Sequence, residues 1–212
     1  MWALIKDNKI EQIYQRPKSL VIGEVRYPSN MFTKYTDAEK AAIGIYSVED
    51  TGTKGDDRFE YTSQATYSFS ASDKKVTTSY TITAKSLVDT EVKDESGNNI
   101  LDEKGNKTYN YGLKTQAKEK AKQQANSYIK QFNWLVERSI YDSSKTIPSA
   151  VGTYVGDIKT DCAAIEAAID GASDMAAFKK LYDWEYNEDG SVKTIAPIHN
   201  WSDDYDVKEY VR

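Results

Sequence analysis

One run of sequence limits the fold more than any other. Within residues 133–184, NWLVERSIYDSSKTIPSAVGTYVGDIKTDCAAIEAAIDGASDMAAFKKLYDW, apolar side chains recur from Val151 at Val155, Ile158, Cys162, Ile165 and Ile169. Steps of four and three keep them on one face of a helix, and that face has to be buried. An earlier segment, residues 115–136, offers a partner: Ala121, Ala125, Tyr128, Phe132 and Leu135 recur at the same spacing, while Lys118, Glu119, Lys120, Lys122 and Gln123 make a solvated face. With residues 142–147 as the connection, the two segments predict an antiparallel helical hairpin that closes on itself or on another chain. Pro148 suits the first turn of the second helix, Gly171 its end, and Ser173 the cap of a short third helix through Met175, Phe178, Leu181 and Tyr182. Gly152 and Gly156 cost helix stability and predict a close backbone approach to a neighbour.

The rest of the chain alternates instead. Two apolar runs, residues 2–5 and 10–14, flank Lys6-Asp7-Asn8-Lys9, a hairpin signal, and a further strand covers residues 19–22. Thr36-Asp37-Ala38-Glu39 has the form of a capping box, which starts a short helix that Gly44 ends. Period-two patterning at Ala65, Tyr67 and Phe69, then at Val76, Thr78, Tyr80, Ile82 and Ala84, predicts a second hairpin about a polar turn. A small repeat follows, DESGNNIL then DEKGNKTY. Its oxygen-rich residues invite a calcium reading, but the spacing is not that of an EF-hand, and two successive turns account for the same residues.

The class predicted is therefore α+β, in four segments. Residues 1–50 form a small β-sheet module with a short helix, 51–112 a β-hairpin region with a protruding arm, 113–184 the helical hairpin plus the short helix, and 185–212 an irregular acidic tail.

Catalytic chemistry has little to rest on. Cys162, the one cysteine, lies on the apolar seam and reads as a small buried hydrophobe; the one histidine, His199, has no ligating companion nearby. No glycine-rich phosphate loop, GxSxG elbow or HExxH occurs, and Asp203, Asp204 and Asp206 read as a solvated acidic run. The expectation is a protein with no enzymatic activity, no catalytic residue, no cofactor and no metal. A net charge of -5 argues against nucleic acid and anionic membrane as partners, and no run has the length of a membrane-spanning helix. Hydrophobic residues are only 39 % of the chain, yet it holds 16 Tyr and four Trp. That mix suits thin modules, or a subunit that buries its aromatics against partners in an oligomer or larger assembly.

Several strings resemble a family of small tail-associated proteins of tailed, particularly marine, bacteriophages. They are MWALIKDNKIEQIYQRPKSLVIGEVRYPSNMF with the later AIGIY, then GLKTQAKEK, and most clearly NWLVERS, TIPSAVGTYVGDIKT and AIEAAIDGASDMAAFKKLY. The last three are similar to the tail assembly chaperone and tail-fibre assembly pattern, with Trp134 at its tryptophan, Arg138 at its arginine and Pro148 at its proline. Asn133 stands where the family usually has aspartate, and Val155-Gly156 where an aromatic-arginine pair is common.

The resemblance implies a non-enzymatic structural component of the tail fibre or baseplate region, assembled in the host cytoplasm and carried in the virion tail. Its partners would be other phage tail proteins. Two alternatives stand beside it: a fibre-assembly chaperone not retained in the virion, and a module binding host-surface glycans through Tyr61, Tyr67, Tyr80, Tyr109 and Tyr111. Trp134, Arg138, Tyr109, Tyr111 and Trp201 are the candidate interaction residues.

Overall fold

At the N-terminus, β1 (Trp2–Lys6) and β2 (Lys9–Tyr14) pair as an antiparallel hairpin in the computed structural model, which describes residues 1–211. Its turn residues Asp7 and Asn8 both have positive φ, 51° and 59°. Two left-handed residues in succession give the turn whose twist matches that of the strands, and Asp and Asn tolerate that geometry. A smaller hairpin follows, β3 (Leu20–Ile22) with β4 (Val25–Tyr27). Helix α1 (Met31–Lys34) buries Met31 and Phe32.

Helix α2 (Asp37–Ala42) opens on the predicted capping box. The Glu39 backbone N–H donates to Thr36 Oγ1 (3.3 Å), and the Thr36 N–H donates to the Glu39 carboxylate (2.7 Å). Gly44, at φ 79°, then turns the chain into β5 (Ile45–Glu49).

Strands β6 (Glu60–Thr62), β7 (Thr66–Ser70), β8 (Lys75–Ser79) and β9 (Ile82–Ala84) complete the first of two compact units, Met1–Ala84. Its main sheet has the order β2-β1-β5-β8-β7, with β5 and β8 parallel and the other neighbours antiparallel. Leu4, Tyr14, Leu20, Met31, Phe32 and Ile45 form its core, with the Phe32 ring 4.8 Å from Trp2 and 5.7 Å from Tyr14.

Alternation alone predicts an unbroken strand to Ala84, but the structure divides it. The Thr81 N–H leaves the ladder to donate to Ser63 Oγ, and the Tyr80 hydroxyl donates to Asp50. Beyond that break β9 takes a different partner, β6.

The second unit begins at Lys85. Strand β10 (Thr90–Glu91) pairs with β11 (Tyr109–Asn110), and the repeat between them folds into two matching turns. Asp94 Oδ1 accepts the backbone N–H groups of Ser96 and Asn98, and Asp102 Oδ1 those of Lys104 and Asn106. Gly97 and Gly105 hold φ of 83° and 82°. Val92, Ile100 and Thr108, eight residues apart, close a ring of backbone bonds. Val92 donates to Thr108 (3.0 Å), Ile100 to Val92 (2.9 Å) and Thr108 to Ile100 (2.9 Å). The repeat thus builds a small three-cornered knot whose aspartates are engaged as turn acceptors.

Helices α3 (Leu113–Lys130), α4 (Asn133–Tyr141), α5 (Ser149–Gly171) and α6 (Met175–Lys180) follow. The segment predicted as one helix over residues 115–136 is two. At the junction the N–H groups of Phe132 and Leu135 bond three residues back, to Ile129 and Phe132, so the last turn tightens and the axis changes. The hairpin is antiparallel. Lys118 and Lys122 near the start of α3 pair with Asp170 (2.9 Å) and Glu166 (3.4 Å) near the end of α5, while Ala125 and Phe132 meet Val151 and Tyr154 at its start. The seam is buried within the chain, with Tyr154 buried on its inner face and Val155 and Cys162 half-buried at its edge.

Three local expectations change. Pro148 caps α5 from outside instead of entering its first turn. Asp174, not Ser173, caps α6 through the Ala177 N–H (2.8 Å). A Cβ at Gly152 or Gly156 would meet nothing within 4 Å, so neither glycine marks a close approach.

The tail is more ordered than its composition predicts. β12 (Glu185–Tyr186) pairs with β13 (Val192–Thr194), and single 3-10 segments cover Pro197–His199 and Tyr205–Tyr210. Val207 of the last segment inserts into the α3–α4–α5 cluster with Leu135, Val151 and Ile158. The architecture is α+β, with small sheets in both units and the helical hairpin in the second.

Candidate functional site

Docking of the C-terminal segment against α3 and α5 creates an open groove of about 550 Å³. Its walls carry aromatics from separate elements. Tyr128 comes from α3, Tyr154 from α5, and Trp184, His199 and Trp201 from the tail. The helical period fixes the two tyrosines, whose rings pack toward the core at the edge of the groove. Tyr128 meets Trp201 edge-on at 5.6 Å, and Tyr154 meets Phe132 edge-on at 5.7 Å. Edge-to-face pairs of this kind contribute about 0.5–1.5 kcal/mol beyond area burial. Trp184 and His199 stack with planes 24° apart and centroids 6.0 Å apart.

Polar groups of the groove are pinned by local bonds. The Gln124 side-chain amide donates to Tyr128 Oη (2.8 Å). Asp203 Oδ1 accepts the Tyr205 N–H (2.7 Å), and Asp204 pairs with Lys208 (3.4 Å). The Ser202 N–H donates to Asp161 Oδ2 (2.7 Å), tying the strip to α5. Burial first, then the negative charge of Asp204, pushes the Tyr154 phenol up, so it remains a hydrogen-bond donor.

The predicted interaction residues fall in three places. Trp201 lines the groove, with its indole Nε1 buried and without a hydrogen-bond partner. Trp134 faces inward. Its Nε1 donates to the Tyr210 carbonyl (3.0 Å), and the Arg138 guanidinium lies 5.0 Å above its ring. The Trp134 bond ties the C-terminal segment to α4. Tyr109 and Tyr111 are exposed near the start of α3, away from the groove lining, and Tyr111 offers its carbonyl to the Gln116 side chain (2.7 Å). The other tyrosines weighed for glycan stacking, Tyr61, Tyr67 and Tyr80, belong to the first unit, so the five do not form one platform within either unit.

A second feature escapes helical periodicity. At the end of α4 and in the connection to α5, Val136, Ile140, Tyr141 and Ile147 are exposed, Ile140 at 74 % and Tyr141 at 90 %. Val136 and Ile140 share a face at i,i+4 spacing. The signal was legible in NWLVERSIY: its apolar residues cover more than one face of so short a helix, and only one face can be buried.

Cys162 is half-buried beside the hydrophobic cluster, and burial raises its thiol, as expected of a packing residue. Among the described residues no helix is long and apolar enough to cross a membrane. Comparison of the chain with protein-family models, with curated proteins and with solved structures returns no match.

Proposed function

We propose that the protein is a non-enzymatic component of the tail of a tailed bacteriophage, held in the fibre or baseplate region by contacts with other tail proteins or further copies of itself. The observation that carries this reading is the exposed apolar end of α4, Val136, Ile140, Tyr141 and Ile147, which continues directly from the family-like string NWLVERS. A cluster of large apolar side chains in water marks a surface that another protein covers. Tyrosine adds area at low entropy cost, as at many protein interfaces. Trp134, which carries Arg138 over its ring, then positions this surface by tying α4 to the C-terminal segment; both are residues of the resemblance.

Mass spectrometry of purified particles tests the proposal. Stoichiometric presence in virions is the expected result. Presence only in extracts of infected cells would replace it with the chaperone reading, and absence from both would overturn it. In a complementation experiment, Ile140→Asp with Tyr141→Asp should leave the isolated protein folded and remove it from particles.

A further inference from the structure

We propose that the groove between Trp184, His199 and Trp201 is a binding site for a short neutral oligosaccharide. The inference stands on the groove alone and does not depend on the tail assignment. Three features decide the ligand class.

The first is shape. An open trough of about 550 Å³ lies within the range of small-ligand sites, about 300–1,000 Å³.

The second is a flat apolar platform beside fixed polar groups. Trp184 is 39 % exposed and stacks on His199 with a wide offset, centroids 6.0 Å apart, so part of its indole surface stays open where both residues line the groove. An indole side chain turns about only two bonds and loses little entropy on binding. The C–H face of a pyranose packs on such a surface, and the sugar's equatorial hydroxyls then need acceptors and donors around its rim. Asp203 supplies acceptors, one oxygen already oriented by the Tyr205 N–H, and the Gln124 amide and Tyr128 phenol, bonded to each other at 2.8 Å, supply a donor and acceptor pair on the opposite element.

The third feature is charge. An aromatic cage with carboxylates can also hold an organic cation. Here the wall already carries its own cation, because Lys208 reaches Asp204 at 3.4 Å and both line the groove. An incoming ammonium would have to displace that ion pair and meet its charge. An anion would meet Asp203 and Asp204. A neutral polyol avoids both penalties.

The full-length protein would be titrated with N-acetylglucosamine trisaccharide, maltotriose, cellotriose and lactose, with choline as the cationic control, by intrinsic tryptophan fluorescence and saturation-transfer NMR. At least one oligosaccharide should give saturable binding that Trp184→Ala weakens by about tenfold or more, as truncating a central aromatic does. Asp203→Asn, whose amide oxygen can still accept from Tyr205, should weaken it severalfold without changing the fold. His199→Ala, which removes the ring stacked beside Trp184, serves if Trp184→Ala does not fold. Absence of saturable binding for every oligosaccharide, binding that survives both Trp184→Ala and His199→Ala, or tighter binding of choline would each overturn the assignment.

Discussion

Replacing Val207 tests whether the C-terminal segment belongs to the helical core or merely lies upon it. Val207 is 1 % exposed and packs with Leu135, Val151 and Ile158. Val207→Ala removes two methyl groups at about 0.8 kcal/mol each and leaves a small void, so a loss of about 2 kcal/mol is expected. That loss should lower the melting temperature of this unit by several degrees. Val207→Asp behaves differently. An unpaired carboxylate cannot be kept at a dry site. The segment can avoid the burial by releasing its hold, giving up the Trp134–Tyr210 and Ser202–Asp161 hydrogen bonds. Hydrogen exchange read by mass spectrometry should then show protection lost over residues 201–211 and retained through α3 and α5. Trp201 emission should shift to the red as its ring meets water. Leu135→Asp is the contrast: α4 cannot leave without opening the hairpin, so the whole helical region should unfold with it. The reasoning is refuted if Val207→Asp leaves exchange in the tail unchanged, or if it unfolds α3 and α5 as completely as Leu135→Asp does.

Other consequences are local. Gly152→Ala adds a methyl group to an exposed helical position with open space around it, and should stabilise the protein by about 0.5–1 kcal/mol in a urea titration. Gly44→Ala should do the reverse, because its φ is 79° and the added Cβ would stand 2.7 Å from the Ile5 carbonyl oxygen; a thermal melt should fall by more than 1 kcal/mol, about the cost of a strained backbone. Thr36→Ala removes one half of the capping box and should cost about 0.5–2 kcal/mol by the same melt. The bonds from Thr36 hold the Glu39 carboxyl below its ordinary range, so the unfolded chain takes up that proton first as pH falls. The contribution is present above the ordinary glutamate range and is lost as pH drops through the lower, folded value. Glu39→Gln should therefore flatten that part of the acid side of the stability profile.

The chain's own sequence determined those elements whose cause is short-ranged. Asp7-Asn8 sets the first hairpin, Thr36 to Glu39 caps a helix, and the repeated Asp–x–x–Gly–Asn builds two equal turns, because each depends on bonds within a few residues. The facing seams of α3 and α5 were legible too, since helical period alone puts Ala125, Phe132, Ile158 and Ile165 on buried faces. Of the groove, only Trp201 was legible as an interaction residue.

Tertiary structure decided the rest. It broke residues 113–141 into two helices, because Phe132 and Leu135 had to enter one core while Trp134 reached the tail. It ended β8 at Ser79, because the strand beyond it had a different partner. It drew Val207 out of an acidic, turn-rich stretch into the hydrophobic cluster, and with it brought Trp184, His199 and Trp201 alongside Tyr128 and Tyr154. A single valine among charges carries no periodic signal. Its burial is paid for by contacts with residues of α3, α4 and α5, far back in the sequence, and only the folded chain brings those together.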